Sequence, residues 1–306
     1  MHVAHLSDLH VLSSAGVEWR RILFNKRISG YANLLLHRGR VYRREYLEAV
    51  IEDAVAHADH VVVTGDITNL SLESEYIEAL RLLDDVARRT EVTVVPGNHD
   101  AYLAGIQRQR RFPRYFGRFL VSDLPDLAVD LPIGRYPCVK LRGAVAIIAL
   151  SSAVPRPPFI AAGQVGDPQL AVLKQILAHP EVARRTPVVL IHHPPVDRRV
   201  RLAQLRDGLV DAAALRSALA PLARGLVLCG HLHVRVRWVL RTAAGALDVI
   251  CASGTALDHP DSTIRAGYNL YDIDDEGAIA RVEARVLDPD GVTLRPTAIP
   301  LAPGGA

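Results

Sequence analysis

Five short polar clusters interrupt the apolar runs of this chain: Asp8-Leu9-His10, Gly65-Asp66, Gly97-Asn98-His99-Asp100, His192-His193 and Gly230-His231-Leu232-His233. Their side chains offer carboxylate, imidazole and amide oxygen, with no thiolate. That donor set suits Mn, Fe or Zn and disfavours a structural zinc. Several imidazoles also argue against a pure Mg or Ca site. Residues two apart in an extended stretch point to the same side, so Asp8 and His10 are expected to face one cleft, as are His231 and His233. Gly65, Gly97 and Gly230 are expected to let the backbone turn where each strand ends. No G-x-S-x-G is present to supply a serine nucleophile. Each cluster is weak alone, since a strand-end Asp is more often a cap or turn former. The order and placement of all five carry the signal.

The elements that must hold these clusters are legible as apolar runs. Residues 2–6, 60–64, 91–95, 144–150, 187–191, 225–229 and 247–251 are short, rich in Val and Ile, and read as buried strands. Helical periodicity covers 42–57 and 72–89. Asp167-Pro168 reads as an N-cap followed by proline at the first helical position, opening a helix to about 178. A further helix is expected over 211–223. After residue 230 the pattern is β-rich, at 234–241, 246–251, 267–273 and 278–287, with Asp274 to Gly277 as a turn. The layout predicts one α/β domain, residues 1–295, followed by a loose Pro/Gly-rich tail at 296–306. The five clusters then fall at the carboxyl ends of strands, where open α/β sheets place their sites.

Composition bounds the function. The 306 residues hold 36 basic and 33 acidic side chains, a formal charge of +3, and 49% apolar residues. Such a chain buries a sizeable core and is not disordered, collagen-like or a disulfide scaffold. The small net charge and the lack of a recognised binding motif give no reason to expect a nucleic-acid partner. Cys138, Cys229 and Cys251 form no CxxC and read as core residues. The N-terminus lacks the pattern of a signal peptide, and no apolar run is long enough to span a bilayer. The expected location is cytoplasmic, with peripheral contact at the inner face of the membrane as the alternative.

The ordered pattern D-x-H, G-D, G-N-H-D, H, G-H-x-H, from residue 8 to residue 233, resembles the calcineurin-like metallophosphoesterase family, in its bacterial phosphodiesterase-like branch. The resemblance implies a two-sheet mixed β-sandwich flanked by helices. It also implies two divalent or mixed-valence ions (Mn, Fe or Zn). Asp8, His10, Asp66 and His233 would hold one ion; Asp66, Asn98, His192 and His231 would hold the other, with Asp66 bridging. A metal-bridging hydroxide would attack phosphorus in line. His99 would neutralise the phosphoryl oxygens or protonate the leaving alcohol, and Asp100 would orient His99. His193 is expected behind the ligands. His5 matches the family's H-x-S-D opening but reads equally as a buried strand histidine. Asn69 reads as a turn residue that could reach the cleft.

The expected activity is hydrolysis of a phosphodiester such as a cyclic nucleotide or a glycerophosphodiester. One alternative is pyrophosphate hydrolysis on a lipid-linked substrate such as UDP-diacylglucosamine. The rival from another class is a non-catalytic scaffold on the same fold. The segment 11–44 breaks the rhythm of strands and helices. It carries Arg20, Arg21, Lys26, Arg27, Arg38, Arg40, Arg43 and Arg44 among Trp19, Phe24, Tyr31 and Leu34-Leu35-Leu36. Two readings stand for residues 19–44: a solvated charged face, or an amphipathic insertion that touches anionic lipid or caps the cleft. The partner is a small-molecule or lipid-linked phosphoester; the oligomeric state is not legible.

Overall fold

The computed structural model describes residues 1–12, 42–102, 104–157, 159–197 and 199–302. In chain order the elements are β1 (His2–Leu6), α1 (Arg44–His57), β2 (His60–Val63), α2 (Glu73–Ala87) and β3 (Glu91–Val94). Two short helices follow, α3 (Ala104–Arg108) and α4 (Arg111–Phe116), then a hairpin of β4 (Val129–Leu131) and β5 (Gly134–Tyr136). Next come β6 (Cys138–Arg142), β7 (Val145–Ala149), α5 (Asp167–Ala178), α6 (Pro180–Ala183) and β8 (Thr186–Leu190). Then come α7 (Arg201–Asp207), α8 (Ala212–Leu219), β9 (Leu226–Cys229), β10 (Val236–Arg241) and β11 (Ala246–Cys251). The chain ends with β12 (Gly267–Ile273), β13 (Ile279–Leu287) and β14 (Leu294–Thr297).

Two six-stranded mixed sheets result, ordered β14-β13-β12-β1-β2-β3 and β10-β11-β9-β8-β7-β6. Strands β1, β2 and β3 run parallel, as do β7, β8, β9 and β11; the remaining neighbours are antiparallel. The period-2 rule explains the layering. Val145, Ile147 and Ala149 share a core with Val3, Val62 and Tyr271 of the other sheet. The alternate residues Ala146 and Ile148 pack with Leu170, Leu173 and Ile176 of α5 and Leu215 and Leu219 of α8. Strands buried on both faces must be apolar throughout, which is why these runs showed no alternation in sequence. The fold is the two-sheet mixed sandwich flanked by helices that the resemblance implied.

Three details differ from the sequence reading. The helix α5 begins at Asp167 itself, and its N-cap is Gly166 at φ 85, with no side-chain cap hydrogen bond. The start of the supposed loose tail is paired. Pro296 and Thr297 lie in β14 against β13, and residues 300–302 then hydrogen-bond the backbone of Arg237 in β10. Proline is tolerated there because β14 is an edge strand. The segment between β3 and β7 holds two helices, a hairpin and β6 that no clear periodicity announced. Among the described residues, no helix is long and apolar enough to cross a membrane.

Candidate metal centre

All five clusters leave their strands at the same rim of the sandwich. Beyond β1 and β2 the two chains stay laced together: Asp8 N donates to Gly65 O at 3.0 Å, His10 N to Asp66 O at 3.0 Å and Val11 N to Ile67 O at 2.9 Å. The local geometry is not the extended one assumed from spacing. Asp8, His10, Asp66, His231 and His233 all have positive φ, at 51, 44, 49, 69 and 54°. Five non-glycine residues in the left-handed region at one site is costly, and such strain persists only where surrounding structure imposes it. The pairs at 8/10 and 231/233 converge through this curl rather than by strand alternation. Of the three glycines, only Gly65 has positive φ, at 97°. Gly97 and Gly230 serve by lacking bulk, since a Cβ would run into the Asp66 carboxylate at the first and the Ser7 hydroxyl at the second.

Two donor groups share one oxygen. In the first, His233 Nε2 lies 3.2 Å from Asp8 Oδ1, and His10 Nε2 lies 4.0 Å from both Asp8 Oδ1 and Asp66 Oδ2. These four residues present ligand atoms within 4.8 Å of one another. In the second, Asn98 Oδ1 lies 3.2 Å from His192 Nε2 and 3.1 Å from His231 Nδ1, and His192 Nε2 lies 3.4 Å from Asp66 Oδ2. Donors about 2.0–2.2 Å from one ion sit roughly 3.0–3.5 Å apart when adjacent and about 4 Å apart when opposite. The pairs in both groups match that spacing; Asp66 Oδ2 reaches His10 in the first and His192 in the second, while His193 lies close to His192 and His231.

The protons also fit. Backbone carbonyls only accept, so the one at Asp207 (2.5 Å) fixes the proton of His231 on Nε2. Burial, with His192 adding to it, lowers His231 to about 4. A bare Nδ1 lone pair therefore faces the Asn98 carbonyl oxygen, an arrangement that calls for a cation between them. The Thr64 carbonyl takes Nδ1–H of His192 at 2.7 Å, turning its Nε2 inward. Burial would lower His192, but Asp66 lifts it to about 9, so cation binding here displaces a proton. Burial opposes ionisation of Asp8 and Asp66, yet His233 beside Asp8, and His192 and His99 beside Asp66, hold both carboxyls below the usual range. The carboxylates are oriented by backbone N–H groups: His231 N to Asp8 Oδ2 at 3.1 Å and His99 N to Asp66 Oδ1 at 2.8 Å.

The remaining candidates lie around this core. Nδ1 of His99 donates to the Asn69 carbonyl at 2.6 Å, leaving Nε2 turned inward, 4.0 Å from Asp66 Oδ2. Asp100 does not orient that ring. It accepts from Gly97 N, Ile67 N, Thr68 N and the Thr68 hydroxyl at 2.8–3.2 Å, tying the loop after β3 to the loop after β2. Burial and the Asp66 charge raise Asp100 to about 6 against those hydrogen bonds. Both ring nitrogens of His193 are engaged, with Ser152 Oγ and the Ala161 carbonyl, each at 2.8 Å, and the ring packs on His231 at 4.3 Å between centroids. Burial with its His231 and His192 neighbours keeps His193 neutral. His5 lies beneath the cleft, between Tyr271 OH (3.1 Å) and Thr64 Oγ1 (2.8 Å), and burial lowers it to about 3. Asn69 is buried and meets His99 through its backbone.

Spacing missed Tyr42, whose hydroxyl meets Nδ1 of His233 at 2.8 Å and whose ring stands edge-on to His10. It also missed Thr64, Ser152 and Asp207, which act on the histidines. Carbonyl acceptors leave no residue-type signature. Residues 13–41, and with them most of the basic segment 11–44, lie outside the described residues. At its end, Arg43 pairs with Asp258 at 2.6 Å and Arg44 with Glu48 at 2.8 Å and Glu78 at 3.2 Å.

Comparison with known proteins bears on the family and the fold. A probable cyclic nucleotide phosphodiesterase of Rhodococcus erythropolis is 31% identical over 201 residues, 62% of this chain and 56% of that protein. The chain thus spans little more than half the length of that relative. Its backbone superposes on a dimetal phosphatase from Danio rerio with a TM-score of 0.56 at 14% identity, covering 98% and 99% of the two chains. It also superposes on a purple acid phosphatase from yellow lupin, Lupinus luteus, with a TM-score of 0.60 at 10% identity, covering 97% of this chain and 52% of that one. At such identities these likenesses speak to fold alone. A model of the calcineurin-like phosphoesterase family, however, matches residues 1–235, a span that takes in all five clusters from Asp8 to His233, and the chain belongs to that family.

Proposed function

We propose that the chain is a dinuclear-metal-dependent phosphohydrolase that cleaves a phosphodiester, a cyclic nucleotide first among the candidates. The observation that carries this reading is the position of Asp66 Oδ2, within a four-residue donor cluster and also 3.4 Å from His192 of the second group. Asp8, His10, Asp66 and His233 would hold one ion, and Asp66, Asn98, His192 and His231 the other. Mn, Fe or Zn suits the mixture of imidazole and oxygen. When bound, the metals supply Lewis acidity toward the phosphoryl oxygens and acidify water.

The chain's own residues do the rest. Asp8 and Asp66, ionised and held by backbone N–H groups, fix the anionic side of the centre. The carbonyls of Thr64 and Asp207 fix the tautomers of His192 and His231, so that each presents a lone pair inward. Because Nδ1–H of His99 is committed to Asn69, the proton available for transfer is the one at Nε2. An imidazolium there donates to a phosphoryl oxygen or to the departing alkoxide; a neutral ring cannot. The name of the Rhodococcus relative supports a cyclic nucleotide as substrate, and membrane contact through residues 19–44 would favour a lipid-linked diphosphate instead.

The test combines metal analysis with turnover. Purified protein loaded with Mn, Fe or Zn should hold two ions per chain and hydrolyse bis-p-nitrophenyl phosphate. A screen of cyclic nucleotides, glycerophosphodiesters and UDP-diacylglucosamine then ranks the substrates. Asp66→Ala should lose both ions and activity together. Full turnover in that variant would overturn the shared-ligand reading; loaded wild-type protein inert on every ester would favour a scaffold.

A further inference from the structure

Two short segments beside the metal centre turn their apolar side chains outward. The helix α7 buries none of its seven residues. Val200 is 75% exposed, Leu202 78%, Leu205 67% and Val210 62%; Phe159, on the neighbouring loop, is 79% exposed and Ile160 36%. Exposed apolar residues are ordinary when scattered, but these are not. Ala161 N donates to Arg206 O at 2.9 Å, Gly163 N to Gly208 O at 3.0 Å and Val210 N to Gly163 O at 2.9 Å, so the loop runs alongside α7 and its exit. In this parallel register Phe159 and Ile160 lie next to the end of α7 that bears Leu205.

The same lip is basic. Arg156, Arg199, Arg201 and Arg206 stand among the apolar tips, against Asp197 and Asp207. Arg199 engages Asp197 at 2.7 Å and Asp207 at 2.9 Å, and Arg206 also pairs with Asp207 at 3.1 Å; the Arg201 and Arg206 side chains are both exposed, so three guanidinium groups face two carboxylates. The lip is also attached to the metal centre. The Asp207 carbonyl receives Nε2–H of His231, and the Ala161 carbonyl receives Nε2–H of His193.

We propose that this lip seats the chain on a membrane surface containing anionic lipid, with the metal centre facing the headgroup layer. Single apolar tips projecting from short segments can enter the acyl boundary while the guanidinium groups between them stay with lipid phosphate. A twofold contact between two copies of the chain fits less well, because it would bring Arg201 and Arg206 near their own symmetry mates. The inference does not depend on what the metal centre hydrolyses, since its readout is binding.

The experiment is vesicle sedimentation of the full chain, alongside sedimentation velocity without lipid. The wild type should pellet with phosphatidylcholine vesicles containing about one third phosphatidylglycerol, and more weakly with phosphatidylcholine alone. Phe159→Ser/Leu202→Gln/Leu205→Gln should partition at least tenfold more weakly while keeping its melting temperature, because these side chains are exposed. Arg201→Gln/Arg206→Gln should lose roughly tenfold or more, selectively on the anionic vesicles. Failure of the wild type to bind would overturn the proposal. So would undiminished binding of the apolar variant, which would place the contact elsewhere on the chain. A wild-type dimer that the apolar variant converts to monomer, with no vesicle binding by either, would overturn it in favour of self-association.

Discussion

His99 is held as His192 is, through Nδ1–H to a backbone carbonyl, but it stands outside both clusters of close ligand atoms. Its Nδ1 proton is committed to a backbone carbonyl, and its Nε2 is 4.0 Å from the nearest carboxylate oxygen of Asp66, too far for a hydrogen bond. The proposed ligands of the second donor group crowd at 3.1–3.4 Å, and His10, though also 4.0 Å from Asp66, belongs with Asp8, Asp66 and His233 to one set of ligand atoms within 4.8 Å of one another, which His99 does not join. Removing His99 should therefore leave the metals in place and remove only proton delivery. His99→Ala is expected to retain wild-type metal content by elemental analysis while kcat falls by about 10²–10⁴-fold. An empty centre in that variant would mean that His99 is a ligand. At this scale the sequence was informative about residue type and poor about partner. Every proposed metal donor could be named from five motifs, because only a few side chains bind such ions. What orients them could not. The acceptors behind His192, His231 and His99 are the carbonyls of Thr64, Asp207 and Asn69, and a carbonyl is the same at every residue. Asp100 was expected to orient His99, whereas the two side chains meet the loop after β2 at separate points, His99 at the Asn69 carbonyl and Asp100 at the N–H groups of Ile67 and Thr68.

The elements succeed as scaffolding because their exits are so tightly packed that one methyl group matters. Gly97 sits where a Cβ would collide with the Asp66 carboxylate and crowd its backbone N–H. Neither obstacle can move freely, since Asp66 Oδ1 is hydrogen-bonded to His99 N and its other oxygen faces both donor groups. Gly97→Ala should displace the shared carboxylate and empty both metal positions, seen by elemental analysis, with a lowered melting temperature. Gly117→Ala is the matched control. A Cβ there meets nothing within 4 Å, and φ is −56°, so stability should be unchanged or raised by up to about 1 kcal/mol. Equal metal content in both variants would refute the packing argument. The strands bearing the site were legible because burial on both faces demands unbroken apolar runs. The elements between β3 and β7 were not: β6 carries Lys140 and Arg142, and residues 108–118 hold several arginines among aromatics, so neither period stands out.

At the scale of the whole molecule, the sandwich is fastened differently at its two edges, and the difference predicts how it fails. One edge is closed by backbone, where residues 300–302 pass from β14 onto β10. The other is closed by charge. Lys140 of β6 donates to Val92 O at 2.7 Å and faces Glu91 of β3 at 3.4 Å, while Arg142 binds Glu91 at 2.6 Å. His60 is buried beside this network, hydrogen-bonded to Thr93 Oγ1 at 2.8 Å and 3.6 Å from Glu91. Burial lowers its ring to about 3 from an ordinary value near 6.5, with Lys140 and Arg142 acting in the same direction and Glu91 opposing them. A hydrogen bond from Arg142 likewise holds Glu91 down at about 2 against burial. Both groups bind protons more weakly folded than unfolded. Their contribution is therefore fully present above the unfolded values and is lost as pH falls, from about 6.5 for His60 and only below about 4.5 for Glu91. Between pH 7 and pH 5 the network should weaken through His60 alone, by up to about 2 kcal/mol. His60→Gln keeps a neutral group at the site without a proton to gain. Its melting temperature should be lower than that of the wild type at pH 7 but fall less steeply toward pH 5. The remaining slope belongs to the metal rim and its surroundings, where His5, His193 and His231, held neutral by burial, lose stability on acidification while His192 and Asp100, both raised, oppose them. Parallel slopes for the variant and the wild type would show that acid opens the molecule at the metal rim rather than at this charged edge.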